Sequence, residues 1–202
     1  MQLRNNSYRY GLLSILLHWS MAILIVPLFF LGKYMVDLDY YDPWYKDAPD
    51  LHRSFGIIVA IILILRLCWR LGNIRPAIIG KPWEQHIARW VHRFFYALIF
   101  AVVISGYLIT TADGQAISLF NWFEIPASLQ GFENQEDIAG EFHKWLTYIL
   151  ILLVGLHTLA ALKHHFINHD STLSRMLGFS DPKQMEQGID QATTYNHHNS
   201  KE

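Results

Sequence analysis

Four histidines lie within or at the edges of long apolar stretches of this chain: His18, His52, His143 and His157. A neutral imidazole can ligate a metal ion or carry a proton. Ionisable groups in membrane-length apolar segments are costly, so they favour a functional role. For any single one of these histidines, a hydrogen-bonded packing role is an equally reasonable interpretation. Four of them in related positions call for a shared explanation.

The spacing of two of these histidines is informative by itself. His143 and His157 are 14 residues apart, which is nearly four turns of an α-helix, so both side chains point in the same direction. The helical rise between them is about 21 Å. One helix would therefore present one imidazole near each surface of a membrane.

The elements that carry the histidines are four apolar segments. A helix needs about 20 apolar residues to cross a bilayer, and a hydrophobic fraction of 52% with a mean hydropathy of +0.17 suits a small membrane bundle. We predict an all-α, integral membrane four-helix bundle in residues 1–178, with a polar, disordered tail over 179–202. The first span lacks a small-residue cleavage site, so we expect a retained helix. The predicted spans are about 11–32, 52–72, 91–112 and 141–166.

Basic residues are distributed unequally between the two sides of the predicted bundle. Because cytoplasmic loops carry the excess of Lys and Arg, the side with both termini is predicted to be cytoplasmic. That side carries Arg4, Arg9, Arg66, Arg70, Arg75, Lys81, Arg89, Arg93, Lys163, Arg175, Lys183 and Lys201. The opposite side carries only Lys33, Lys46, Arg53 and Lys144. Its loops are acidic, and we expect short helical turns in the longer one, around 111–141.

With this orientation the four histidines fall at two depths. His18 lies roughly 9 Å from the cytoplasmic end of its span, and His157 lies roughly 12 Å from the same end. His52 begins the second span at the outer surface, level with His143. The depths therefore pair His18 with His157 and His52 with His143, about 20 Å apart along the membrane normal.

Facing imidazoles at one level can be the axial ligands of a haem iron, and helical bundles commonly house such cofactors. This pairing favours two b-type haems, for which Gly56 and Gly106 are candidates to provide space. A proton relay would also explain histidines within a membrane, although it does not explain their pairing by depth. Structural zinc is a poorer interpretation because it requires four clustered ligands.

Short motifs around these histidines resemble the bacterial cytochrome b-561 family over roughly residues 8–178. The motifs are LHW at 17–19, LHRSFG at 51–56, the arginines at 66 and 70, FHKW at 142–145, GLH at 155–157 and LKHH at 162–165. The resemblance implies four helices that bind two haems b through histidines on helices one, two and four. Those ligands correspond to His18, His52, His143 and His157.

The resemblance also implies a location and partners. Family members pass electrons between membrane quinone and a second partner. The superoxide oxidases take them from superoxide at the outer side and reduce ubiquinone, whereas related cytochromes anchor hydrogenases and other periplasmic oxidoreductases. We therefore expect a multi-pass protein of the bacterial inner membrane. Its expected partners are lipid, ubiquinone or ubiquinol and a periplasmic redox protein, with no nucleic acid.

Several further residues are candidates for contacts with a cofactor or substrate. Arg53 and Lys144 directly follow the outer histidines and could pair with haem propionates, as could Arg66, Arg70 and Arg93 at the inner side. Interfacial anchoring is the alternative for each of them.

Similar members carry a histidine at the position of His164, which with Lys81 could border a cytoplasmic quinone site. We expect His92 to be too shallow to share a level with His18, and to contact a propionate or quinone or be simply interfacial. The remaining histidines are expected to be solvated: His86, His169, His197 and His198.

Three functions remain open from the sequence. In the first, an outer reductant delivers electrons that cross the membrane to ubiquinone, and superoxide is the sharpest candidate for that reductant, which would make the chain an oxidoreductase. In the second, the chain is an anchor cytochrome that exchanges electrons between quinol and a periplasmic oxidoreductase. In the third, which is disfavoured, it is a transporter or structural protein. The acidic outer loops argue against steering of an anion over the whole face, although Arg53 and Lys144 could form a local positive mouth.

Other function classes lack their motifs. A single cysteine, Cys68, excludes an internal disulfide and a thiolate metal cluster. The chain has no phosphate-binding glycine loop and no hydrolase nucleophile motif.

Overall fold

Four long helices account for most of the structure. The computed structural model describes residues 2–129, 131 and 133–179. In these residues the long helices are α1 (Leu12–Val36), α2 (Asp47–Leu71), α3 (Pro82–Thr110) and α4 (Gln135–Phe166), and a short helix α5 covers Thr172–Met176. Each long helix is apolar enough and long enough to cross a membrane. The predicted all-α four-helix fold is confirmed.

Three helices begin earlier than the predicted spans, and the first of them is α2, which begins at Asp47 instead of about residue 52. Helix α3 begins at Pro82 instead of about residue 91, because proline is preorganised for the first helical position. The Glu84 carboxylate accepts a hydrogen bond from the backbone N–H of Lys81 at 2.9 Å and so caps the helix start. Helix α4 begins at Gln135 instead of about residue 141. The additional turns are amphipathic extensions beyond the apolar spans.

The bundle has a compact central core and apolar outer faces. Its buried centre consists of Met21, Val59, Leu63, Leu98, Ile99 and Leu150. Helix α1 packs along α2, and α3 packs along α4, whereas α4 approaches α1 closely at few positions. Large apolar side chains such as Ile23, Ile64, Phe100 and Leu152 are exposed on the helix surfaces, as expected for groups that contact lipid.

The long loop between α3 and α4 contains a small β-hairpin where short helical turns were expected. Strand β1 (Ile117–Leu119) pairs antiparallel with β2 (Phe123–Ile125). Positive φ angles at Phe120 and Asn121 form the turn. The backbone N–H of Phe120 donates to Ser54 Oγ at 3.1 Å, which attaches the hairpin to α2 two residues after His52. We call this end of the bundle the outer end.

The opposite end carries both the start of α1 and α5, and we call it the inner end. Trp19 Nε1 donates to the carbonyl of Met176 at 2.8 Å, and an Arg175 guanidinium nitrogen donates to the carbonyl of Ala77 at 2.9 Å. These bonds hold α5 against α1 and the α2–α3 loop. The polar sequence after the fourth span predicts one short surface helix near residues 171–177, and α5 lies there. Most of the predicted tail, including His197, His198, Lys183 and Lys201, lies outside the described residues.

Candidate haem and quinone sites

The inner pair of histidines comes from α1 and α4. The ring centres of His18 and His157 lie 6.2 Å apart, with an angle of 65° between the ring planes. Both side chains are partly buried between the helices. The structure therefore brings together the two residues that sequence depth had paired.

The outer pair comes from α2 and α4. The ring centres of His52 and His143 are again 6.2 Å apart, with an interplanar angle of 74°. Because His143 and His157 are 14 residues apart on one uninterrupted helix, the two pairs lie about 21 Å apart along α4.

The two pairs fit a group that is held by two axial imidazoles. A metal–imidazole bond of about 2 Å places two rings on opposite sides of one metal ion with their centres about 6 Å apart, which agrees with 6.2 Å at both levels. Helices α1 and α4 approach each other closely at few positions, and His18 and His157 are among the side chains that make contact between them, together with Phe29 and Tyr148. Among the described residues no group of three or more His, Cys, Asp or Glu side chains could hold a bare metal ion. The donor set is suited to haem instead.

Hydrogen bonding prepares His143 for ligation. Its Nδ1 lies 3.0 Å from the carbonyl oxygen of Val102 and 3.1 Å from Ser105 Oγ. A carbonyl can only accept, so Nδ1 carries the proton and Nε2 keeps a free lone pair, as metal-binding histidines usually do. His52 Nδ1 is buried and receives no hydrogen bond from any described residue.

Two glycines give the outer imidazoles their space. A Cβ atom on Gly106 would lie 3.2 Å from His143 Cε1, and one on Gly32 would lie 3.0 Å from His52 Cε1. Gly106 was a sequence candidate, whereas Gly32 was not, because its contact joins α1 to α2. The other candidate, Gly56, has no described atom within 4 Å of its would-be Cβ.

Arg66 lies directly beside the inner pair. Its Nη2 donates to His18 Nδ1 at 3.0 Å, so Nδ1 is the acceptor and the proton of a neutral His18 lies on Nε2. To bind a metal ion through Nε2, a neutral His18 would have to carry its proton on Nδ1. Nδ1 could then no longer accept a hydrogen bond from Arg66, so Arg66 would need a different partner. The guanidinium groups of Arg66 and Arg70 also lie 5.8 and 5.2 Å from the ring centre of Tyr96.

His92 lies deeper than its sequence position predicts. Its ring centre is 5.6 Å from that of His157, so it shares the level of the inner pair. His92 lies ten residues, or about 15 Å of helical rise, after the start of α3, and the packing of α3 along α4 brings its ring to His157. Its Nδ1 lies 2.6 Å from the carbonyl of Ala88, and this bond directs the ring.

The basic residues next to the outer pair already have carboxylate partners. Arg53 forms an ion pair with Asp50, and Lys144 Nζ lies 3.3 Å from a Glu141 oxygen. Each pair is one helical turn long, and its side chains are exposed. The local positive mouth expected from the sequence is therefore largely neutralised. Arg93, expected near the inner side, stacks over Trp90.

A second cluster forms at the inner end, where the start of α3 meets the end of α4. Lys163 Nζ pairs with a Glu84 oxygen at 2.9 Å. Gly80 approaches His164, since a Cβ on Gly80 would lie 3.4 Å from His164 Cε1. Lys81, the next residue, is exposed at the same place. The structure thus brings the Lys81 and His164 segments together.

One residue of this cluster was missed by the sequence reasoning. His164 Nδ1 lies 2.5 Å from Asp170 Oδ2, and both side chains are largely buried. In the sequence, the signal for this contact is a carboxylate six residues after a histidine at a helix end. The two side chains come into contact because of the turn after α4. His165 stacks on Phe166, and His86 is exposed beside Arg89.

Comparison with known proteins agrees with this arrangement. The model of a family described as prokaryotic cytochrome b561 matches residues 9–179. The chain belongs to the prokaryotic cytochrome b561 family. It is a membrane electron-transfer protein of a family that implies b-type haem, and the predicted resemblance is confirmed.

Three related proteins support the same family membership. The chain is 46% identical over 182 residues to Cytochrome b561 homolog 2 of Escherichia coli, which covers 89% of this chain and 97% of that protein. It is 28% identical over 179 residues to Probable superoxide oxidase CybB of Yersinia pestis, with 84% and 96% covered. A third relative, Cytochrome b561 homolog 1 of Escherichia coli, is 27% identical over 130 residues, which are 63% of this chain and 73% of that protein.

Proposed function

We propose that this cytochrome b561 holds two b-type haems, one between His18 and His157 and the other between His52 and His143. It passes electrons across the bacterial inner membrane between a reductant at the outer end and ubiquinone at the inner end. The observation that carries the proposal is the repeated 6.2 Å separation of imidazole centres at two levels of one helix. Bound haem supplies one-electron redox chemistry, and the protein sets its potential through axial ligands and their hydrogen bonds.

The chain's own residues have separate tasks in this proposal. Val102 and Ser105 orient His143 through its Nδ1. If His18 held haem iron through Nε2, Arg66 would lose its bond to His18 Nδ1 and would be free to hold a haem propionate, because a charge-assisted bond to a carboxylate is strong. Lys81 and His164 border the ubiquinone site, and both termini are cytoplasmic. His92 orients or shields the His157 face of the inner site.

The first experiment is a pyridine haemochrome assay on the purified protein, combined with a redox titration. We expect two haems b per chain and two titration steps. A ratio of one haem or fewer per chain contradicts the central claim.

Mixing the protein with ubiquinone and a pulse of superoxide then tests the oxidase reaction suggested by the relative named Probable superoxide oxidase. Accelerated decay with formation of quinol supports it, whereas unchanged decay without quinol excludes superoxide as the donor.

A second function, membrane anchor for a periplasmic oxidoreductase, is favoured by the charge at the outer end. The loops there carry eleven acidic and four basic residues, and two of those four, Arg53 and Lys144, are paired with carboxylates of their own helices. Such a surface attracts a basic partner and repels an anion. The acidic residues are Asp37, Asp39, Asp42, Asp47, Asp50, Asp113, Glu124, Glu133, Glu136, Asp137 and Glu141.

The charge of an added electron donor distinguishes the two proposed functions by experiment. We expect a cationic one-electron donor of matched potential to reduce the haems faster than an anionic one, with the advantage lost at high salt as screening increases. Equal rates, or a faster anionic donor, would contradict the anchor function and favour superoxide.

A further inference from the structure

Asp170 and His164 form a buried pair at the inner end of the bundle. His164 is in the last turn of α4, and Asp170 lies in the turn between α4 and α5. Their Nδ1 and Oδ2 atoms are 2.5 Å apart, and the side chains are only 16% and 14% exposed. This contact is the shortest hydrogen bond of His164, whose Nδ1 also lies 3.2 Å from the Asn168 side-chain amide.

The second oxygen of Asp170 is also engaged, so the orientation of the carboxylate is fixed. Oδ1 accepts a hydrogen bond from the backbone N–H of Thr172 at 2.9 Å. Partial burial acts to raise the pKa of Asp170, but the hydrogen bonds from Thr172 and His164 outweigh it and hold that pKa below its ordinary value. The group is therefore an ionised acceptor at neutral pH. An ionised carboxylate can only accept, so His164 Nδ1 must carry a proton.

The other charges around His164 do not compete for this nitrogen. Glu84, from the start of α3, pairs with Lys163 of α4. Lys81 is exposed beside Gly80, which approaches His164 Cε1. Arg175 of α5 is 7% exposed and donates to the carbonyl of Ala77. Asp170 is the carboxylate that contacts His164 directly.

We propose that Asp170 is a positioning residue of the inner quinone site, which holds the proton of His164 on Nδ1 and turns Nε2 toward the substrate oxygen. This inference rests on the proposed function. Reduction of a quinone to a quinol consumes two electrons and two protons. The electrons arrive through the inner haem. One proton moves from Nε2 of doubly protonated His164 to one quinone oxygen, and the other quinone oxygen takes the second proton from cytoplasmic water. The ring, still bonded to Asp170 through Nδ1–H, then takes a replacement proton on Nε2 from cytoplasmic water.

The informative variant is Asp170→Asn. Asparagine keeps an oxygen for the Thr172 N–H and presents an N–H to His164, so Nδ1 becomes an acceptor and the neutral ring moves its proton to Nε2. We expect haem reoxidation by a short-chain ubiquinone, followed by stopped flow after stoichiometric reduction, to slow at least about tenfold, since general acid catalysis contributes about 10²-fold or more. Haem content should not change. Asp170→Glu, which restores a carboxylate, should recover part of the rate.

Ser174→Ala is the matched control. Its hydroxyl donates to the carbonyl of Ser171 in the same turn at 3.1 Å, and within the part of the chain that the structure describes it makes no bond to His164. We expect an unchanged rate. If Ser174→Ala slows the reaction as much as Asp170→Asn, the effect belongs to the fold of the turn and the proposal is wrong.

Nitrogen NMR of ¹⁵N-histidine-labelled protein tests the tautomer without any turnover, with the His164 signal assigned from its loss in His164→Gln. We expect a protonated Nδ1 in the unaltered chain and a protonated Nε2 in neutral His164 of Asp170→Asn. The same tautomer in both proteins would overturn the proposal.

If the unaltered protein reduces no quinone, the proposed function fails. If it does and Asp170→Asn keeps the full rate, only the role of Asp170 fails.

Discussion

At the scale of single residues, the outer site depends on one imidazole whose orientation is set by its neighbours. His143 is held through Nδ1 by Val102, which leaves Nε2 for a ligand. We predict that His143→Ala lowers the haem content from two to one per chain and leaves the inner haem spectrum unchanged. The pyridine haemochrome assay measures this ratio. His86→Ala, at an exposed histidine of α3, is the control and should keep both haems.

A second prediction at this scale concerns the space beside His143. A Cβ on Gly106 would lie 3.2 Å from the ring, closer than nearly all real contacts, so a branched side chain must displace the imidazole. We expect Gly106→Val to lose most of the outer haem. Gly155→Val is the matched control, because Gly155 is exposed on α4 with no described atom within 4 Å of a Cβ. Full occupancy in Gly106→Val would show that this contact relaxes easily.

At the scale of the elements, the inner site is the place where three helices bring three histidines together. His18 of α1 and His92 of α3 both contact His157, with ring centres 6.2 and 5.6 Å away. Helix packing would therefore decide which pair ligates the proposed inner haem. The family resemblance favours His18, on the first helix, over His92.

Substitution by phenylalanine, which keeps the ring volume, separates these two histidines. We predict that His18→Phe loses the inner haem, whereas His92→Phe keeps two haems and shifts the inner midpoint potential, because a polar neighbour of His157 is removed. Haem content and a potentiometric titration give the answer. Loss of a haem in His92→Phe together with its retention in His18→Phe would assign His92 as the ligand.

At the scale of the whole molecule, charge asymmetry sets the expected orientation. Of the basic residues that the structure describes, ten are assigned to the inner end and four to the outer end, and the outer loops are acidic. In a Cys68→Ala background, Asp113→Cys at the outer end should react with a membrane-impermeant maleimide in intact spheroplasts, and Arg75→Cys, at an exposed position of the inner end, should react only after lysis. The reverse pattern would invert the direction of the proposed electron path.

Some features follow from local rules, and others do not. The depths of His18, His52, His143 and His157 were predictable because helical rise and apolar length depend on nearby residues only. The start of α3 was misjudged because Pro82 and the capping Glu84 lie outside the apolar run. The hairpin over Ser54 was missed because its strands of three residues are too short for a periodic pattern.

The sequence by itself determined four spans, their asymmetric charge and the placement of one histidine of each pair on the same face of one helix, since apolar length and helical repeat depend on consecutive residues. Only the tertiary structure decided which residues contact the histidines. It placed Gly32 against His52, His92 against His157 and Asp170 against His164. The first two contacts depend on how helices pack, and the third depends on the geometry of the turn after α4, neither of which hydrophobic patterning specifies.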